Sequence, residues 1–67
     1  MREMDILMTR FLERGFAQLD IDGQQAFDRL LDEPDQDILH WLWNDVLPDN
    51  QDLARLIVRM RPIVNTP

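Results

Sequence analysis

Apolar residues recur every three or four positions along nearly the whole chain, and that spacing predicts helices rather than strands. Met4, Leu7, Met8, Phe11 and Leu12 share one side of a first segment. Asp5, Thr9, Arg10 and Glu13 take the other side, the pattern of an amphipathic helix that ends near Phe16 to Gln18. Asp20 offers a capping oxygen for a second helix bearing Phe27, Leu30 and Leu31, and Pro34 closes that helix by pushing its predecessor out of helical conformation. Asp35 is the expected cap of a third helix, Gln36 to about Asp45, with Ile38, Leu39 and Leu42 facing inward and Pro48 in the following turn. Asp49 or Asn50 opens a fourth. Its apolar stripe is Leu53, Leu56, Ile57 and Met60, and Arg59 and Arg61 complement the dipole at its carboxyl end. Pro62 is expected to stop it and to leave Ile63 to Pro67 as a flexible tail. The pattern therefore predicts an all-α fold, a small bundle of about four helices over residues 1–62, with Leu30, Leu31, Leu42, Leu56 and Ile57 in its interior.

Composition narrows the chemistry. The chain has 67 residues, enough for one domain, and no cysteine, so neither a disulfide nor a thiolate metal site is available to it. Thirteen acidic against seven basic residues give a net charge of −6, which opposes binding to nucleic acid and to anionic lipid. Apolar runs such as Ile6-Leu7-Met8 and Leu56-Ile57-Val58 are only three residues long, against the roughly 20 that a spanning helix needs, so direct membrane insertion is not expected. Glu3 and Asp5 stand where a secretory signal would be basic and then apolar, and the expected location is cytoplasmic.

Few residues carry obvious chemistry. His40, the one histidine, has Asp37 three positions before it but no third ligand, so no metal site is expected. The many carboxylates lack an accompanying nucleophile or oxyanion cradle, and helix capping accounts for Asp20, Asp35 and Asp49, which argues against catalysis by this chain. Trp41 and Trp43 lie about 200° apart around a helix, so both cannot face one core. Trp41 shares a side with Ile38 and is the structural or edge residue, whereas Trp43 is the candidate for an exposed contact. Arg2, Glu3 and Asp5, beside Met1, combine a five-donor fork, two carboxylates and adaptable apolar surface, a mixture suited to docking on another protein.

Met1-Arg2-Glu3-Met4-Asp5 matches the second half of the signature Arg-Gly-x-x-Glu-x-Asp. Leu30-Leu31, Asp35-x-Asp37 and Trp41-Leu42 follow at the spacing Leu-Leu-x-x-x-Asp-x-Asp-Leu-x-x-Trp-Leu, with Ile38 in place of the usual leucine. On these residues the chain resembles the succinate dehydrogenase assembly factors of the SdhE/YgfY type. In that alignment Glu3 is the motif glutamate, and the Arg-Gly pair and one further amino-terminal helix would lie before residue 1. An internal stretch, Arg14-Gly15-Phe16-Ala17-Gln18-Leu19-Asp20, imitates the signature, but it would bring Leu30-Leu31 one helix too early. Arg14-Gly15 reads instead as a frayed helix end where glycine's conformational tolerance is useful.

The resemblance implies a noncatalytic assembly factor or chaperone that binds the flavoprotein subunit of succinate dehydrogenase, and of the related fumarate reductase, and promotes its covalent flavinylation. FAD would sit on the partner, whose own histidine attacks the flavin, and no cofactor would be held stably by this chain. Met1, Arg2, Glu3 and Asp5, with Trp41 and Trp43, are the expected partner-binding residues. The alternative that the family offers is an antitoxin-like interaction module of a toxin-antitoxin pair. Without the additional helix, Met4, Leu7 or Phe11 would be exposed, and self-association is expected in that case.

Overall fold

The side chain of Asp20 accepts a hydrogen bond from the Gly23 N–H (2.8 Å), and that of Asn50 accepts one from Leu53 N–H (3.1 Å), so two helices begin where short polar side chains satisfy first-turn donors. The computed structural model describes residues 2–67. Their order is α1 (Glu3–Arg14), a 3-10 turn (Phe16–Gln18), α2 (Ile21–Leu30), α3 (Asp35–Trp43) and α4 (Gln51–Val64), with no strand among the described residues. Helix α4 is the hub, and α1, α2 and α3 each pack against it. It buries Leu53, Leu56, Ile57, Met60 and Val64, facing Met4, Leu7, Met8 and Phe11 of α1, Ala26, Phe27 and Leu30 of α2, and Ile38 and Leu42 of α3. Phe27 of α2 makes ring contacts with Phe11 of α1 (centroids 5.4 Å apart) and with Phe16 of the 3-10 turn (5.3 Å, edge-on).

Several expected boundaries shift, each for a physical reason. Pro62 does not end α4, which continues through it to Val64. A proline withdraws one helical N–H and crowds the carbonyl four residues back, here that of Val58. Val58 and Pro62 both face solvent, where water can take the freed carbonyl, while Val64 one half-turn on is fully buried. The expected tail at Ile63 to Pro67 is therefore corrected at its start: Ile63 and Val64 are helical, and Arg10 Nη1 and Arg14 Nη1 of α1 donate to the carbonyls of Val64 (2.9 Å) and Thr66 (2.8 Å). Helix α3 begins at Asp35 itself, without a side-chain cap. The Pro34 carbonyl accepts from Asp37 N and Ile38 N, and Asp35 and Asp37 favour the helix start as charges.

Leu31 is 52% exposed, not interior, because it follows the last turn of α2 after Leu30 has taken the core position. Leu12, 51% exposed, likewise lies beyond the edge of α1's buried stripe. Gly15 does not need unusual dihedral freedom, since its φ is −136°. It is required by space: a Cβ there would come within 2.7 Å of Ile63 Cδ1 and of the Phe11 ring. Met4, Leu7 and Phe11, expected to lie bare, are buried, so the ground for self-association through them is removed.

Candidate functional site

Glu3 and Asp5 project from the first turn of α1, where carboxylates favour the helix amino end. Arg2 precedes them in extended conformation (φ −76°, ψ 152°), and its carbonyl accepts from Ile6 N (3.3 Å). All three side chains are exposed, and the one ion pair among the described residues, Arg55 with Asp52, does not involve them. Met4 between them is buried, so the apolar part of the patch is not supplied by that residue. Met1 lies outside the described residues.

Trp41 and Trp43 occupy the last turn of α3, on the divergent sides that helical geometry demands. Trp41 is partly buried against the core, while Trp43 is 50% exposed. Trp41 also forms one wall of an open groove of about 380 Å³ shared with Glu33, Leu47, Pro48 and Asp49. The tryptophans and the charged cluster form two patches, one at the end of α3 and one at the start of α1. No hydrogen bond or ion pair links them among the described residues.

Periodicity gave no sign of what holds the tryptophan patch. The last carbonyls of a helix lack intrahelical donors, and those of α3 are served from two directions. His40 O accepts from the backbone and side-chain nitrogens of Asn44 (3.1 and 3.0 Å). From α4, Arg61 Nε donates to Trp41 O (3.0 Å), Asn65 Nδ2 to Leu42 O (3.1 Å), and Arg61 Nη2 to Asn44 O (2.8 Å) and Val46 O (3.0 Å). Arg61, expected to serve the dipole of its own helix, thus serves the neighbouring one. The connection it grips carries Val46 and Leu47, both half-exposed; Leu47 also lines a mostly apolar hollow with Ala54 and Val58.

Other residues offer less for chemistry. His40 is exposed, and its Nδ1 meets Asn44 Nδ2 at 3.1 Å. No group of three or more potential ligands could hold a metal among the described residues. A groove of about 190 Å³ between the start of α2 and α4 is lined by Asp20, Asp22, Asp52, Arg55 and Arg59 beside Leu19, Ala26 and Leu56, unlike the predominantly apolar clefts that take ring-bearing ligands. No helix among the described residues is long and apolar enough to cross a membrane.

Comparison with known proteins places this geometry in context. Residues 1–64 match the family model described as flavinator of succinate dehydrogenase. The chain is 33% identical over 63 residues to the FAD assembly factor SdhE of Coxiella burnetii, covering 94% of this chain and 77% of that protein. It is 39% identical over 57 residues to the FAD assembly factor SdhE of Pectobacterium atrosepticum, covering 85% of this chain and 65% of that protein. The mitochondrial succinate dehydrogenase assembly factor 2 of Debaryomyces hansenii is 48% identical over 62 residues, which span 82% of this chain but 42% of the yeast protein. No solved structure matches the chain.

Proposed function

The chain belongs to the flavinator of succinate dehydrogenase family, and from that premise we propose that it binds the flavoprotein subunit of succinate dehydrogenase and promotes covalent attachment of FAD to that subunit. The match across residues 1–64 carries this reading, because it spans all four helices and both candidate patches. The relatives named above are assembly factors, which favours assembly over the antitoxin role.

In this reading the chain acts as a binding partner and not as an enzyme. Arg2, Glu3 and Asp5, exposed and without ion-pair partners among the described residues, are available for charge-assisted hydrogen bonds to the flavoprotein, with Met1, next to Arg2 in the sequence, as a further contact residue and Trp41 and Trp43 as a second contact. Binding would favour the flavoprotein conformer in which its own histidine and the flavin are correctly opposed, a contribution of selection and orientation. FAD stays with the partner. Fumarate reductase, whose flavoprotein is related, is a second client in the same scheme, and the cytoplasm is where the encounter takes place.

Two experiments test the proposal. Equilibrium dialysis of FAD against the isolated chain should leave no flavin retained with it, and the flavoprotein subunit should bind the chain in a pulldown that Glu3→Ala weakens. Tight flavin binding by the chain, or no capture of the flavoprotein, would contradict it.

A further inference from the structure

We propose that Arg61 is a positioning residue for partner binding: its guanidinium, with the Asn65 side chain, holds the end of α3 and the connection beyond it so that Trp43 is presented in one fixed attitude. The proposal deepens the function given above and rests on it.

The placement of the donors carries the argument. Arg61 and Asn65 take the carbonyls of residues 41 and 42 before Trp43 and of residues 44 and 46 after it, so the backbone is held on both sides of the exposed ring. Capping α3 would require only the first two of these. Asn44 is already the residue that ends the helix, with extended dihedrals, and Val46 lies two residues farther on. An arginine that reaches Val46 O is therefore fixing the course of the connection. That connection contributes no fully buried side chain. Trp43, Val46 and Leu47 are all half-exposed, so the clamp orders a segment that the core does not use.

Arginine suits this task better than lysine. The planar guanidinium directs Nε and Nη2 at fixed angles to three carbonyls, whereas an ammonium is a point donor on a flexible stem. Arg61 is half-buried and joins no ion pair among the described residues, so its charge is spent on these carbonyls. A connection ordered before the encounter does not lose that freedom on binding, which is how preorganisation raises affinity. The occupant is the flavoprotein subunit. The exposed side chains of Asp45 and Asp49, without ion-pair partners among the described residues, border the apolar ones, so the face that receives Trp43 is an apolar recess with a basic rim.

The test measures affinity for the flavoprotein subunit alongside fluorescence anisotropy of Trp43 in a Trp41→Phe background. Arg61→Lys and Arg61→Gln should increase the mobility of Trp43 and weaken binding by about tenfold, with helix content retained. Asn65→Ala, which removes one bond only, should shift both readouts in the same direction by less. Asp20→Ala, a cap at the start of α2, lowers stability away from the clamp and should leave affinity unchanged. If Arg61→Lys and Arg61→Gln unfold the chain, the Asn65→Ala result decides. Unchanged affinity in the clamp variants, where Trp43→Ala does weaken binding, would overturn the positioning role and leave the assembly function standing. No effect of Trp43→Ala, or no binding by the unaltered chain, would overturn the contact itself and the proposal with it.

Discussion

Gly15 and Leu31 show how much a single position depends on what lies opposite it. A methyl group at Gly15 would strike Ile63 and Phe11, both held against the core, so Gly15→Ala should destabilise the fold by about 1–3 kcal/mol in urea denaturation. A neutral result would mean that α1 and α4 separate more easily than their packing implies. Leu30 and Leu31 are the same residue side by side, yet one is fully buried and the other half-exposed. Leu30→Ala should cost about 2–5 kcal/mol. Leu31→Ala should stay within about 0.5 kcal/mol, as for other surface changes. Equal losses would place both in the core. From the sequence, Leu31 looked interior because apolar character marks a candidate face but not the width of the neighbour that covers it.

Among the elements, α4 departs most from what its residues predict one by one. Its interior Pro62 should cost about 3 kcal/mol relative to alanine in a helix, offset in part by the smaller entropy of the unfolded chain. Pro62→Ala should accordingly stabilise the protein by about 1–2 kcal/mol, read as a rise in melting temperature, because it restores the N–H facing Val58 O without disturbing a buried contact. A fall in stability would show that the proline sets a bend that the Arg10 and Arg14 contacts require. Helix centres were legible because three-and-four spacing reports directly on a buried face. Helix ends were less so. Asp20 and Asn50 cap where local chemistry predicts, but α3 starts without a side-chain cap and α4 ends where Val64 and two arginines of α1 hold it. Those partners are 52 to 54 positions away in the sequence, beyond any local signal.

At the scale of the whole molecule, the hub arrangement leaves the charged start of α1 and the end of α3 as separate outward patches on one small body. The family was legible from the spacing of Glu3, Asp5, the Leu30-Leu31 pair, Asp35, Asp37 and Trp41, and residues 1–64 match it. The clamp was not legible. An arginine near a helix end looks the same in sequence whether it serves its own dipole or its neighbour's carbonyls, and only the packing of α4 against α3 tells the two apart.

Glu3 and Asp5 touch no core residue through a hydrogen bond or ion pair among the described residues, so Glu3→Ala separates function from folding: it gives up only the favourable charge at the helix start, about 0.3–1 kcal/mol, and should stay fully folded at assay temperature. The most direct test of the account is in-gel flavin fluorescence of the succinate dehydrogenase flavoprotein subunit incubated with FAD and either form of the chain. A covalent flavin signal should rise with the unaltered chain and fall clearly with Glu3→Ala, at a temperature where both forms are fully folded. A signal that is the same with and without the chain, or a Glu3→Ala defect that merely follows unfolding, would contradict it.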